Sequence, residues 1–479
     1  MQTTRRQLFK GAAALALPLR FARAANPPSP AILKLGSYMA EAAGRALPGE
    51  VIEKTKHHIL DTLAAMVSGT ELPPGRVALA MAKAHPGEKT ATVAGSNLLC
   101  GPIEAAMVNG MLAHSDETDD SHAPSQSHPG CSIVPAALAA SEQFNADGTR
   151  MLRAVALGYD VGTRITMTLG ALAYQMESHR SSHSIASDFG ASAAAGCVAG
   201  LNPQQMRWIL DYAAQQAAGI TAWQRDTDHI EKSLVFAGWP ARNGVTAALL
   251  IQLGGTGVDD IMAGSDNFLM AFAPKADPSG LIDKLGERYE VTRTNIKKWT
   301  VGSPIQAPLD ALELMRKKHP FEADQVQKVV ARLATSDGNT VNNREMPDIS
   351  LQHMVAVMLL DKTASFAAAH DKPRMQDAAV LRERAKVQLI ADEALEKLHP
   401  ARVSIVEVTL GDGTKLTERV EAVRGTAQNP MTREEVAGKA RDWMTPLLGA
   451  AKTAKLIERV LDLEHMKSVS ELRPLLQKV

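Results

Sequence analysis

The chain has 479 residues, which is too long for one compact unit and predicts two domains with complete cores. Lysine plus arginine and aspartate plus glutamate both number 52, so the net charge is zero, which argues against bulk nucleic-acid binding. The three cysteines are far apart without a C-x-x-C spacing, and there is no H-E-x-x-H, so neither an iron–sulfur cluster nor a metal site is expected.

The N-terminus has the features of an export signal. Arg5 and Arg6 precede an apolar stretch, roughly residues 12–19, which is too short to span a bilayer. Residues 22–24, Ala-Arg-Ala, fit a signal-peptidase site, so residues 1–24 are predicted to be a twin-arginine signal. We therefore expect a periplasmic or otherwise exported protein without a stable membrane anchor.

From residue 31 to about residue 270 the pattern is almost wholly helical. Pro48 lies in the first turn of one predicted helix, and apolar residues recur at helical spacing until Gly69. Further helices are predicted at residues 102–114, 133–144, 151–169, 203–220 and 243–253. The small-residue run at 191–200 would let neighbouring helices approach closely.

Strands are predicted after about residue 275, where the pattern changes. Residues 402–410 alternate apolar and polar side chains, a turn follows at 411–413, and residues 414–423 return as a second strand. Residues 327–336 also have a strand-like context. The helical pattern resumes at Thr432 with a capping signature. The chain is therefore predicted to be mainly α with a smaller α+β domain.

A polar junction between two helical stretches is the most informative segment. Residues 113–137 read AHSDETDDSHAPSQSHPGCSIVPAA. A stable core does not need so many polar groups, whereas a site that moves protons and binds an anion does. The segment resembles the MmgE/PrpD family signature, A-H-x-L-D-F-D-D-T-H followed by H-P-G-x-x-V-x-P-A. Residues 232–244 (KSLVFAGWPARNG) and 429–432 (NPMT) resemble other family segments.

The resemblance extends over nearly the whole mature chain and carries a domain plan with it. It implies a large all-helical domain at residues 31–275, completed by C-terminal helices at residues 426–479. A smaller α+β lid domain, residues 276–425, is inserted between them. The resemblance also implies a homodimer.

Two histidines are the candidate proton-transfer groups. His128 precedes Pro-Gly at a predicted helix entry, where a helix N-terminus favours a carboxylate, and the matching family histidine lies in the active site. His183 resembles the histidine of the family's H-P-T-x-T segment, with Ser184 in place of proline; an ungapped alignment would put Ser181 there instead. The other candidates are His179, which competes with His183, and the weaker His114 and His122.

The acidic residues of the junction match the family in part. Asp119 and Asp120 correspond to the family's aspartate pair, and Glu117 takes the place of the preceding family aspartate. Ser121 retains the hydroxyl of the family threonine. Carboxylates beside a histidine would orient it and raise its basicity. The alternative is a solvated acidic loop.

Cations for an anionic substrate are suggested by the other matching segments. Lys232 and Lys297 correspond to family lysines that face the substrate. Arg242 is a further candidate anion clamp, although a structural role in its helix is equally consistent with the sequence. Gln306 occupies a place where relatives often have histidine, and it can hydrogen-bond but cannot take up a proton.

The resemblance implies a cofactor-independent lyase that acts on a small di- or tricarboxylate. The predicted reaction is dehydration of a hydroxy acid like 2-methylcitrate or citrate, with His128 and His183 as base and acid in an order that stays open. Such a reaction needs a placed base and cations that hold enediolate charge. The alternatives are a cis-aconitate-type decarboxylase, a dicarboxylate epimerase and a non-catalytic carboxylate-binding protein.

Overall fold

The computed structural model describes residues 27–478. The predicted export signal lies outside the described residues. Within them the chain is mainly helical, as predicted, and its strands form one two-stranded and one four-stranded sheet. The two-stranded sheet consists of β1 (Ala91–Thr92) and β2 (Leu99–Cys100), which pair antiparallel.

The helices before residue 275 form the larger part of the molecule. Those that follow the predicted pattern are Gly49–Gly69, Pro102–Ala113, Gly130–Gln143, Gly148–Leu169, Pro203–Gln216 and Trp239–Gln252. Others in this part are Pro30–Glu41, Pro73–Ala84, Ala171–Ser178, Ser182–Ala199, Ile230–Ser233 and Phe268–Phe272. The small-residue run lies in Ser182–Ala199, and a Cβ on Gly244 of the neighbouring helix would lie 2.5 Å from the Ala191 carbonyl carbon. The two helices therefore approach as closely as the sequence predicted.

A continuous helical segment, Ile230–Gln252, is long and apolar enough to cross a membrane. However, 67% of its most apolar window is buried within the described protein, as expected of a core helix. Its residues Leu234–Gly238 form a π-helical turn. Such turns widen a helix locally and often occur at functional sites.

The four-stranded sheet belongs to the second part of the chain. Its strands are β3 (Val326–Ala334), β4 (Val387–Asp392), β5 (Ser404–Leu410) and β6 (Lys415–Val420), in the order β4-β3-β5-β6. β5 and β6 form the predicted antiparallel hairpin, whereas β4 pairs parallel to β3 and was not predicted. The helices of this part are Ser303–Lys318, Thr335–Val341, Leu351–Asp361, Phe366–His370, Ala378–Arg384 and Glu393–Glu396.

The buried side chains divide into two main cores. The larger runs from Ile32 to Ile296 and resumes from Met431 to Leu476, so the C-terminal helices pack with the N-terminal ones. These helices are Arg433–Leu448, Ala450–Leu461 and Arg473–Leu476. The smaller core extends from Trp299 to Val423.

The predicted boundary at residues 275 and 276 falls inside the larger core. Leu281, Tyr289 and Val291 are buried there, although they lie in irregular turns without helical periodicity. The sequence loses its helical periodicity here, which is why the segment was assigned to the smaller domain. In the structure its apolar side chains pack on the helices of the larger core.

Candidate functional site

The first part of the polar junction, here called the site segment (residues 114–122), follows the helix Pro102–Ala113 and is joined through residues 123–129 to the helix Gly130–Gln143. Asp119 and Asp120 have no exposed surface. The alternative of a solvated acidic loop is therefore wrong. Because water does not reach these carboxylates, the protein must supply their partners.

Asp119 lies between two imidazoles and an ammonium group. Its Oδ2 is 2.8 Å from His114 Nδ1, and its Oδ1 is 3.2 Å from His128 Nδ1 and 3.7 Å from Lys297 Nζ. Burial alone would raise the pKa of Asp119, but its interactions with His114, His128 and Lys297 outweigh burial and hold that pKa well below its usual range. Asp119 is thus a buried carboxylate that hydrogen-bonds His114 and orients His128 by an electrostatic contact.

Glu117 binds both predicted substrate lysines. Lys232 Nζ forms an ion pair with Glu117 Oε1, and Lys297 Nζ donates to the Glu117 carbonyl at 2.7 Å. Burial would raise the pKa of Glu117, but Lys232 and Lys297 hold it well below the usual value. The site segment therefore gathers the two lysines, and a substrate carboxylate would compete with Glu117 for them.

Asp120 has a different set of partners. Its Oδ2 lies 2.7 Å from His58 Nδ1 and accepts from the Tyr159 hydroxyl, while its Oδ1 accepts from Gly130 N at 2.9 Å. A Cβ on Gly130 would lie 2.6 Å from the Tyr159 oxygen, which explains the glycine after His128-Pro129. Asp120 thus ties three helices together, and sequence reasoning missed His58 and Tyr159 because no local pattern links them to the site segment.

Three histidines surround Phe236 of the π-helical turn, and a fourth contacts one of them. Phe236 stacks on His183 with ring centroids 4.2 Å apart and on His114 at 4.9 Å, and the rings of His128 and His183 are 5.2 Å apart. His229 lies 5.0 Å from His114 and was not predicted. Its one sequence signal is its position three residues before Lys232.

These surroundings favour neutral imidazoles. Burial lowers the pKa of His183 well below its usual value, and the charges of His128 and Lys232 add to this effect. Burial also lowers the pKa of His114, although Asp119 acts in the opposite direction. A neutral imidazole has a free nitrogen that can accept a proton.

A cavity of about 480 Å³ opens beside these groups, between the larger and smaller cores. His128, His183 and Ser121 line it from the helical part. Arg402 and Arg424 line it from the smaller part. Its volume is in the range of small-molecule sites, and it brings residues of both parts to one ligand.

Family comparison assigns the two parts of the chain. The MmgE/PrpD N-terminal domain matches residues 33–280, and the MmgE/PrpD C-terminal domain matches residues 299–463. The chain belongs to the MmgE/PrpD family. The resemblance predicted from the site segment is therefore confirmed.

Curated relatives of this MmgE/PrpD protein include three named for cis-aconitate decarboxylation. Cis-aconitate decarboxylase of Aspergillus terreus (strain NIH 2624 / FGSC A1156) is 25% identical over 466 residues, covering 90% of this chain and 92% of the relative. The Homo sapiens cis-aconitate decarboxylase is 26% identical over 459 residues, covering 90% and 91%. A cis-aconitate decarboxylase-like protein of Aspergillus oryzae (strain ATCC 42149 / RIB 40) is 24% identical over 480 residues, covering 92% and 96%.

Gln306 lines the cavity, but its amide is already engaged. Its Nε2 donates to the carbonyls of Trp299 and Val301 at 2.7 and 2.8 Å, and its Oε1 accepts from Trp299 N at 3.1 Å. These bonds hold the turn that follows Lys297. In this MmgE/PrpD protein Gln306 therefore positions that turn, and its predicted contact with substrate stays a prediction.

Two other predicted residues lie apart from the cluster. Arg242 donates to Asn243 Oδ1 at 2.9 Å, and Asn243 in turn donates to Asp188 at 2.8 Å, which favours its structural alternative. His179 is exposed at the end of its helix. His122 lines the cavity, with its Nε2 3.3 Å from Glu290.

Proposed function

We propose that the protein is a cofactor-independent lyase that acts on a small di- or tricarboxylate. One observation carries this proposal: His128 lines the cavity while the buried, ionised Asp119 lies 3.2 Å from its Nδ1 and 3.7 Å from Lys297. A histidine oriented by a carboxylate can exchange a proton with carbon. A neighbouring ammonium group can hold the negative charge that this step creates.

The charge of the cavity wall supports a substrate with several carboxylates. The cationic side chains that line it are Arg293, Lys297, Arg402 and Arg424. The acidic side chain that lines it is Glu421. A substrate with several carboxylates could replace the present ion-pair partners of the three arginines, which are Glu290, Asp337 and Glu435. Because the arginines come from both parts of the chain, we propose that the smaller part acts as a lid over bound substrate.

The two candidate reactions share an enediolate next to a carboxylate. In decarboxylation, the electrons of the broken carbon–carbon bond enter this enediolate, carbon dioxide leaves, and a histidine protonates the carbon. In dehydration, one histidine removes the carbon-bound proton, and the other protonates the departing hydroxyl. The rings of His128 and His183, 5.2 Å apart, could serve either sequence.

Decarboxylation is the reaction we propose first, because the relatives described above are named for it. Dehydration, predicted from the sequence, is the second candidate, since the site offers both a base and an acid. Export through residues 1–24 and homodimerisation stay predictions.

Proton NMR of the purified mature protein tests the proposal. The protein would be incubated in deuterated, metal-free buffer with cis-aconitate, citrate and 2-methylcitrate in separate samples. New vinyl signals with release of carbon dioxide would identify a decarboxylase. New vinyl signals without it would identify a dehydratase, and deuterium exchange alone would indicate an epimerase. Binding without any of these changes would contradict the proposal and favour a carboxylate-binding protein.

Lys232→Ala provides the matched variant. We expect it to abolish turnover, because Lys232 is one of two lysines held at Glu117. Lys317→Ala is the control, since Lys317 is two-thirds exposed and pairs with Glu313 in the smaller part. Equal turnover in both variants would show that Lys232 does not contribute to catalysis.

A further inference from the structure

Two buried atoms of the site face each other without forming a hydrogen bond. His128 Nδ1 and Asp119 Oδ1 are 3.2 Å apart, yet neither has a hydrogen-bond partner among the described residues. Asp119 is fully buried, and His128 is only 8% exposed. Asp119 Oδ1 has electrostatic contacts with His128 and with Lys297, 3.7 Å away, but no hydrogen bond, so both atoms retain bonding capacity for a ligand.

A third donor atom completes the group. His114 Nδ1 lies 2.8 Å from Asp119 Oδ2, and ligand atoms of His114, Asp119 and His128 all lie within 4.8 Å of one another. Zn²⁺ binds imidazole nitrogen and carboxylate oxygen at about 2.0–2.2 Å, which places neighbouring ligands roughly 3 Å apart. Each imidazole nitrogen lies at about that spacing from one oxygen of Asp119, 2.8 Å from Oδ2 for His114 and 3.2 Å from Oδ1 for His128.

We propose that His114, Asp119 and His128 form a binding site for a divalent ion of the Zn²⁺ type, and that its occupation inhibits the enzyme. Two imidazoles and one carboxylate form a ligand set that Zn²⁺ accepts readily. The inhibitory part rests on the proposed function, because an ion bound to His128 Nδ1 and Asp119 would replace the contact that orients the imidazole and would neutralise the Asp119 charge. The binding part does not depend on it.

Lys297 opposes the ion. Its Nζ lies 3.7 Å from Asp119 Oδ1, the oxygen nearest His128, so it repels a dication and competes for the same carboxylate. No sequence pattern indicates this site, because its three ligands follow no familiar metal-binding spacing. It exists only where the site segment folds back onto the start of the helix Gly130–Gln143.

Titration of the untagged, metal-free protein with Co²⁺ tests the binding. Co²⁺ absorbs visible light when bound by nitrogen and oxygen ligands, and Zn²⁺ should displace it. We expect one ion per chain in the wild type, affinity at least tenfold weaker in His114→Gln, and tighter binding in Lys297→Met. His465→Gln, at an exposed histidine paired with Asp462, is the control and should match the wild type.

The outcomes separate the two proposals. If the wild type binds no stoichiometric ion, or His114→Gln binds as tightly as His465→Gln, the metal site is wrong whatever the enzyme does. Tighter binding in Lys297→Met supports the site even if His114→Gln fails to fold. If the ion binds as expected and turnover measured by NMR is unaffected, the inhibitory role is wrong and the site alone stands.

Discussion

Asp119 and Asp120 are consecutive and both fully buried, yet they belong to two different environments. Asp120 is enclosed by donors from three helices, and both of its oxygens are engaged. Asp119 has one hydrogen-bonded oxygen, and its other oxygen faces His128 and Lys297 beside the cavity. The difference indicates that a closed network fixes the fold of the site segment, whereas an open one leaves bonding capacity for chemistry.

The largest expected effect is on turnover, in Asp119→Asn. Asparagine keeps the size of the side chain but removes the charge that orients His114 and His128, so we expect turnover to fall about 10²–10⁴-fold. Turnover and melting temperature of the purified variant would be measured together. Asp442→Asn, at an exposed position, is the control. Unchanged turnover in Asp119→Asn would show that Asp119 serves the fold as Asp120 does.

Asp120→Asn is expected to act on stability instead. Its amide group would meet the donors of His58, Tyr159 or Gly130, and removing one charge of a buried pair costs about 3–5 kcal/mol. Thermal and denaturant unfolding would measure the loss against the wild type. Turnover per folded molecule should fall less than in Asp119→Asn. A stable Asp120→Asn with turnover lost to the same extent would reverse the assignment of the two aspartates.

Asp188 is a third buried carboxylate, and the group that donates a hydrogen bond to it is the neutral amide of Asn243. Burial raises the pKa of Asp188 to about 8, although the Asn243 amide and the charge of Arg242 lower it in part. In the unfolded chain the pKa is near 3.8, so the folded state retains a proton that the unfolded state releases as the pH rises. The contribution of protonated Asp188 to the free energy of unfolding is therefore fully present below about pH 4 and is lost as the pH rises to about 8.

The loss of stability with rising pH should differ measurably between the wild type and Asp188→Asn. In the variant the asparagine oxygen can still accept from Asn243, and no proton is lost, so we expect unfolding free energy to depend less on pH between about 4 and 8. The difference from the wild type should reach a few kcal/mol at the upper end. Parallel pH curves for the two proteins would contradict the raised pKa.

Sequence predicted most reliably what depends on neighbouring residues. The helical repeats, the β5–β6 hairpin and the cap at Thr432, whose side chain accepts from Glu435 N, all follow from patterns within a few residues. β4 was missed because its parallel pairing with β3 joins segments far apart in the chain. The irregular turns around Leu281 lack periodicity, so their burial in the larger core could not be inferred from them.

The candidate site likewise combines residues that are neighbours in sequence with residues that meet only in the fold. Its carboxylates and His128 lie close together in sequence, so the sequence alone shows their concentration. The groups that set their environment, such as Tyr159, His229 and Phe236, come from separate helices and meet only in the folded chain. Gln306 shows the converse case, since its position was predicted but its hydrogen bonds to the backbone were not.

The smallest expected effect comes from removing one of the hydrogen-bond donors to Asp120 and keeping the others. Burial and the charge of Asp120 raise the pKa of Tyr159 well above its usual value, so its hydroxyl stays protonated and donates to Asp120. Tyr159→Phe removes that donor and leaves those of His58 and Gly130. We expect a loss of about 1.5–3 kcal/mol in stability, which is typical of a hydrogen bond to a charged group.

Turnover in Tyr159→Phe should stay within about threefold of the wild type, because Asp119 and its partners are untouched. Tyr212→Phe is the matched control, since its hydroxyl donates to the Thr256 carbonyl at 2.7 Å in an exposed position and should cost less. If Tyr159→Phe lost turnover as severely as Asp119→Asn without losing stability, the hydrogen bonds to Asp120 would be needed for catalysis as well as for the fold. The two aspartates would then form one functional unit, because a donor to Asp120 could alter proton transfer only through the site segment that both residues share.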